Sequence, residues 1–264
     1  MKLPWLSGRY GRGGAYAAAP AAPASGASEV TRQSDLVGWW KFDEESGTNA
    51  EDVSDTGNDG TLTNMADSDW VAGKNGNALE FDGADDVVLI PADSAYPAGD
   101  FSFSCWFKLS SGDTHRTIVA SQKYYTAGKD GNWLFKVYDS SGANPRLNFA
   151  SWNGTSSLLI NKFESITFSE GVAPSDWHHA AFVHDDSAST IQFYFDGSTV
   201  GSTTAIAGGN DLEDASVSGL SVGAQGTTSP IREWAGLLDD IRIYNVALTD
   251  ANVASIYNSG DGDW

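Results

Sequence analysis

Carboxylates and histidines are the residues of this sequence whose spacing invites a chemical reading. Glycoside hydrolysis needs two carboxyl groups about 5 Å apart when one is an acid and the other a nucleophile. Adjacent carboxylates are candidates, Glu44-Glu45 and Asp239-Asp240 among them. The first falls in a loop after an apolar run. Neighbouring residues on a strand leave opposite faces, so Asp239 and Asp240 are not expected to form one acid–nucleophile pair. Separate strands could still supply two carboxylates, which keeps a glycan-cleaving enzyme as an alternative. His178, His179 and His184 raise the question of zinc. Period-two alternation puts His178 and His184 on one face and His179 on the other, so they cannot converge from one strand. Calcium fits better, because it takes six to eight oxygen ligands from loops. Asp43 and the Asp55-Thr-Gly-Asn58 loop offer such oxygens, and the strand carrying Asp239 could reach the same end. The competing reading is that Asp55 and Asn58 cap a Gly-rich loop through Asx turns, with no ion. For sugars, aromatic faces must sit beside amides and carboxylates that fix hydroxyls. Tyr124, Tyr125, Trp133 and Trp152, in or beside the Gly/Asn-rich 120–156 region, are the candidates, against the alternative that tryptophans fill the core.

The elements that must position these groups read as strands. From Leu36 onward short apolar runs are punctuated by Gly, Asn and Asp, a sandwich or jelly-roll pattern rather than a βαβ one. Strands are expected at 36–43, 78–82, 86–91, 101–109, 116–122, 132–139, 145–152, 157–161, 177–184, 190–196, 217–223 and 235–245. Ile191, Phe193 and Phe195 share one face, and Asp196-Gly197 supplies a tight hairpin turn. Cys105 alternates with Phe103 and Phe107, so it is expected inward as a structural thiol. One helix is expected, Leu248 to Tyr257, capped by Thr249.

Charge divides the chain in two. The formal net charge is −20, and because residues 1–34 carry +3 the remainder carries −23. A polyanionic domain repels phosphate backbones, so nucleic acid is excluded as a partner of the body. No stretch reaches the roughly 18 apolar residues of a membrane span. Residues 7–30 are Gly, Ala, Ser and Pro with almost no large aliphatic side chain, so the segment 1–34 is expected to be a flexible arm. Its apolar run after Lys2 is too short for a secretory signal, though the Ala-rich piece 15–24 imitates a cleavage region. Within the arm, Leu3, Trp5, Leu6 and Tyr10 offer apolar anchors, and Arg9 and Arg12 could pair with an acidic partner surface.

Several motifs in order carry a family resemblance. Leu36-Val-Gly-Trp-Trp-Lys-Phe-Asp-Glu44, Gly57-Asn-Asp-Gly-Thr-Leu62 and the run from Gly73 to Val88 resemble the opening of a laminin G-like jelly-roll domain. Phe101 to Lys108, Asp176 to Val183, Phe195 to Ser198 and Ala235 to Leu248 resemble its central and closing strands. The resemblance covers about 35–258 and places residues 35–264 in one concanavalin A-like domain. It implies two stacked antiparallel sheets; with the arm and helix read above, the expected fold is all-β, a two-sheet antiparallel jelly-roll sandwich with an extended N-terminal arm and a short C-terminal helix. It further implies a structural calcium in many members and service as a binding module. Related β-glucanases carry a Glu-x-Asp-x-Glu strand, which is missing here.

The sequence therefore leads to the expectation of a non-catalytic binding protein. Its first reading is a virion subunit of decoration, spike or fibre type, oligomeric in an assembly. There the arm would contact other virion or surface proteins, and the jelly roll would bind a cell-surface glycan or stabilise the particle. The alternative is a secreted or cell-surface bacterial carbohydrate-binding or adhesion module.

Overall fold

In the computed structural model, residues 35–94, 96, 99–110, 115–121, 132–138, 145–152, 158–166, 175–206, 219–226 and 231–259 are described, with backbone alone at 115, 132, 152, 158–159 and 259. They form two eight-stranded sheets. The first runs β14 (Ser198–Ala205), β13 (Thr190–Phe195), β12 (His178–Asp185), β7 (Phe101–Leu109), β16 (Ala235–Tyr244), β5 (Asn77–Asp82), β4 (Trp70–Ala72), with β1 (Leu36–Trp40) also on β16. The second runs β11 (Leu158–Ser165), β10 (Arg146–Trp152), β9 (Asn132–Tyr138), β8 (His115–Ser121), β15 (Leu220–Val222), β6 (Val87–Ile90), β3 (Gly60–Thr63), β2 (Asn49–Ala50). Every paired neighbour is antiparallel, as in the expected sandwich.

Period-two alternation builds the core. Phe101, Phe103, Cys105 and Phe107 of β7 face inward with Phe182 and Phe193, against Phe135 and Phe149 of the opposite sheet. Phe149 and Phe182 stack across the layers with ring centres 4.0 Å apart. Burial holds the Cys105 thiol well above its usual range, as suits a structural cysteine. The hairpin at Asp196-Gly197 has φ of 46° and 74°, positive at both central residues, which is the type I′ geometry that matches strand twist. A second, smaller core lies on the outer face of the first sheet. There α1 (Asp250–Ser259) lays Val253 and Ile256 over Trp39, Ala181, Val183, Tyr194 and Tyr244. Thr249 caps it as expected: its Oγ1 accepts from Asn252 N, and Asn252 Oδ1 accepts from Thr249 N.

Strict alternation fails at one place. On β16, Asp239 pairs with Trp106 and Arg242 with Ser104, so two residues oppose one and a bulge results. Asp240 takes a φ of 53° there. The bulge sits where the edge of β16 changes partner, from β5 at residues 235–238 to β1 at 241–244. Consequently Asp239 and Asp240 do not leave opposite faces. Both serve the outer side, Asp239 beside Trp106 and Asp240 bound to Arg242 and the Trp39 indole.

Candidate functional site

Asp239 is fully buried, and its Oδ2 accepts from the amides of Lys74 and Asn75 at 2.8 and 3.0 Å. Its Oδ1 has no partner among the described residues. Burial first, then the charges of Asp240 and Asp43, pushes its pKa up to about 8. Asp43, exposed, accepts from Asn77 N at 3.0 Å, so two of the four expected cation ligands flank the same Gly73–Asn77 turn. Gly76, at φ 67°, has to be glycine here, since a Cβ would run into Asp43 Oδ1. Glu44 lies alongside: Oε1 accepts from Glu51 N, Oε2 is buried without a partner among the described residues, and burial raises its pKa. The orphaned oxygens of Asp239 and Glu44 are the donor type that calcium takes.

The other two expected ligands occupy a loop organised by a residue the sequence reading passed over. Asp52 accepts through Oδ1 from Trp39 N and Ser54 N, and through Oδ2 from Asn58 N and Thr56 Oγ1. Asn58 O in turn accepts from the Trp40 indole. Asp55 is exposed. The loop thus closes on its own side chains, as in the Asx-turn reading, with Asp52 rather than Asp55 as the cap. The signal was an Asp two residues before Ser54 and four before Thr56.

A third acidic group appears at the surface. Asp82, Asp85 and Asp86 bring carboxylate oxygens within 4.8 Å of one another, the one such trio among the described residues, and it can coordinate a metal ion. Asp86 is the buried member, and burial raises its pKa to about 6. Its Oδ2 accepts from Asp82 N, and Asp82 Oδ1 accepts from Ala84 N, so the trio also closes its own turn.

The aromatic candidates divide. Trp133 is in the core, 6% exposed, stacked on Phe149 and tilted against Phe101, so it has no face for a ligand. The sequence reading placed it near a loop, but alternation on β9 turns Trp133, Phe135 and Val137 inward together. Trp152 closes β10, its side chain outside the described residues, and Tyr124 and Tyr125 lie outside them altogether. So do Leu3, Trp5, Leu6, Arg9, Tyr10 and Arg12 of the arm.

The histidines have separate surroundings. His178 Nδ1 pairs with Asp196 Oδ2 and its ring stacks on Phe195. His184 Nδ1 meets Gly99 O. His179 points to the other face, between Trp106 and Tyr257, and burial holds its pKa near 3, so it is neutral.

A cleft of about 540 Å³ opens on the outer face of the first sheet, between β12, β13, β14 and the start of α1. It was not foreseen, because apart from Tyr194 its polar lining is Thr, Ser, Gln and Asp. Gln192 and Tyr194 form its fixed floor. The Gln192 amide donates to Phe193 O and Val200 O and accepts from Thr203 Oγ1, and the Tyr194 hydroxyl donates to Asp250 Oδ1.

With this geometry in place, the family can be stated. A family model described as the concanavalin A-like lectin/glucanases superfamily matches residues 82–254. The chain belongs to that superfamily. No curated protein sequence matches it. Among solved structures, this superfamily member is similar to the binding domain of Paraclostridial Mosquitocidal Protein 1, at 15% identity and a TM-score of 0.64, over 87% of this chain and 53% of that one. It is similar to Domain 4 of AbnA, an extracellular arabinanase from Geobacillus stearothermophilus in complex with arabinotriose, at 20% identity and a TM-score of 0.56, over 84% of this chain and 98% of that one. A third similar structure is a heptameric SAP-like pentraxin from Limulus polyphemus, at 19% identity and a TM-score of 0.51, over 67% and 80% of the two chains. The superfamily member thus spans about half the length of the mosquitocidal structure. At these identities the likeness is one of fold.

Proposed function

We propose that the chain is a non-catalytic glycan-binding module of a secreted or cell-surface bacterial protein. The observation that carries this reading is the cleft beside Gln192 and Tyr194, a recess with a hydrogen-bonded floor on a rigid sheet. The paired carboxylates point away from hydrolysis. Asp240 is bound to Arg242, and Asp239 is buried against the Lys74 and Asn75 amides. The arabinanase domain supports the same reading, since the match runs over 98% of its length and it holds a sugar. The mosquitocidal-protein, arabinanase and pentraxin neighbours favour this module over the virion subunit.

Calcium is a structural partner in this proposal, with Asp239 and Asp43 as the ligands that would hold it and Glu44 beside them. When bound, calcium supplies only positive charge that fixes the Gly73–Asn77 turn to β16. The arm is proposed to dock on another protein, its +3 charge complementing an acidic surface. Deleting residues 2–30 and following self-association tests that role.

The module reading is tested by titrating the full chain against an immobilised oligosaccharide panel while assaying sugar release. Binding without release is expected. Release abolished by Glu44→Gln or Asp239→Asn in a folded protein would replace the module with an enzyme.

A further inference from the structure

Around the cleft, the groups left over after folding are mostly acceptors. Asp185 Oδ1 accepts from Ser187 Oγ and Ala188 N, both at 2.7 Å, and its Oδ2 has no partner among the described residues. Asp250 Oδ1 accepts from Tyr194, again leaving the second oxygen. Thr190, Thr199 and Ser202 line the same recess, and their hydroxyls make no hydrogen bond among the described residues. Val183, Ala247 and Leu248 add a short apolar strip between them. No Lys, Arg or His is among the described lining residues.

We propose that this cleft is the ligand site and that it takes a neutral, hydroxyl-rich sugar, not an acidic one. The inference rests on the glycan-binding reading above and deepens it. A carboxylate oxygen is an acceptor only, and a bond to it from a neutral hydroxyl is charge-assisted, stronger than one between neutral partners. Two such oxygens call for a donor-rich ligand, and a sugar offers neighbouring hydroxyls in a fixed geometry. Ser and Thr hydroxyls adapt as donor or acceptor to the remaining ring positions. The apolar strip meets a C–H face. A sialylated, uronic or sulfated sugar would instead bring its anion beside Asp185 and Asp250 on a body of net −23, with no lining cation to receive it. Asp185 stays ionised, because the Ser187 hydroxyl and the Ala188 amide pull its pKa below the ordinary value. The floor is also preorganised. Gln192 sits at the register shift between Ile191 and Phe193 and is held there across β13 and β14, so little ordering remains for the ligand to impose.

The experiment compares the full chain with Thr199→Lys and Ser202→Lys, two exposed positions on β14 where the new side chain brings bulk and positive charge. Binding is measured to neutral arabino-, xylo-, cello- and galacto-oligosaccharides and to sialylated, sulfated and amino-sugar glycans, with melting temperature as the folding control. The unmodified protein is expected to bind among the neutral sugars alone, at least tenfold more tightly than either variant, with melting temperatures unchanged. Binding confined to acidic or amino sugars overturns the ligand class. Neutral-sugar binding at full strength in both folded variants overturns the cleft while leaving the module reading intact. Failure of the unmodified protein to bind anything on the panel overturns both.

Discussion

Asp239 and Asp185 are both aspartates on the outer face of the same sheet, each with one oxygen held by the chain, yet their surroundings push them in opposite directions. Asp239 is buried against Trp106 and the Gly73–Asn77 turn, and its pKa rises to about 8. Asp185 stands at the rim of a solvent-open cleft with a Ser hydroxyl and an amide on one oxygen, and its pKa falls. The corner around Asp239 has been shaped to hold strands together and tolerates charge only if something neutralises it. The cleft, by contrast, keeps charge in contact with water, where it can exchange one hydrogen-bond partner for another at small cost. Damage at the corner should therefore appear as lost stability, and damage at the cleft as lost binding.

The largest expected effect lies at the corner. Arg242 is fully buried, forms a two-point contact with Asp240 through Nε and Nη2, and stacks 4.4 Å over Trp39. Arg242→Ala leaves Asp240 buried without its cation, which should lower stability by about 3–5 kcal/mol in denaturant unfolding. A loss under about 1 kcal/mol would mean that water already reaches the pair, and the contrast between the two regions would weaken.

Calcium comes next. At about 100 times its dissociation constant, a cation that binds only the folded chain stabilises it by about 2.7 kcal/mol, and a chelator should remove that gain. Asp239→Asn should abolish the calcium response while Asp85→Asn leaves it. The reverse pattern would assign the ion to the surface trio of Asp82, Asp85 and Asp86.

In chelator, Asp239 should also impose a pH dependence. Its folded pKa of about 8 exceeds the ordinary 3.8, so the folded state holds the proton more tightly. That contribution is full below about pH 4 and is lost as pH rises through 8, at about 1.4 kcal/mol per pH unit between them. From pH 6.5 to 8 stability should fall by roughly 2 kcal/mol, and Asp239→Asn should flatten the slope because its amide oxygen still accepts from Lys74 and Asn75. A slope unchanged by the substitution would place the titration elsewhere.

The same contrast separates what was legible in the sequence from what was not. Long strands with large alternating side chains were legible: the range read for β7 matches it from Phe101 to Leu109, and β12 starts one residue later than read. Alternation also gave the inward Cys105 and the opposed His178 and His179. Three of the shortest strands, β2, β3 and β4, escaped because a period cannot register in so few positions, whereas β6 and β15, equally short, fell within the longer ranges read. β14 escaped for another reason: Ser-Thr-Val-Gly-Ser-Thr-Thr-Ala is small and polar on both faces. Its omission hid the cleft, one wall of which it forms. The bulge at Asp239 and Asp240 could not be read, since the change of partner that produces it is a long-range event between β5 and β1.

The smallest effect on stability should come from Thr203→Val, and it tests the cleft side of the contrast directly. Thr203 Oγ1 donates to Gln192 Oε1 at 2.8 Å, and valine keeps both the shape and the strand preference of threonine. Thr203 is exposed, so water can take over the lost bond, and the loss should stay near the low end of the roughly 0.5–1.5 kcal/mol of a typical hydrogen bond. The Gln192 amide nitrogen would still be tied to Phe193 O and Val200 O, so the fold has no reason to yield. Binding does. With its oxygen released, the amide is restrained through its nitrogen alone, and a ligand must supply the rest of the ordering on arrival, at a cost toward the low end of the roughly 0.5–1.5 kcal/mol for an immobilised side chain. Affinity for a neutral sugar should then fall a few-fold while the melting temperature moves by no more than a few degrees. A melting temperature that drops steeply with affinity untouched would show that Gln192 braces the β13–β14 edge and that the cleft has no more to do with recognition than the corner does.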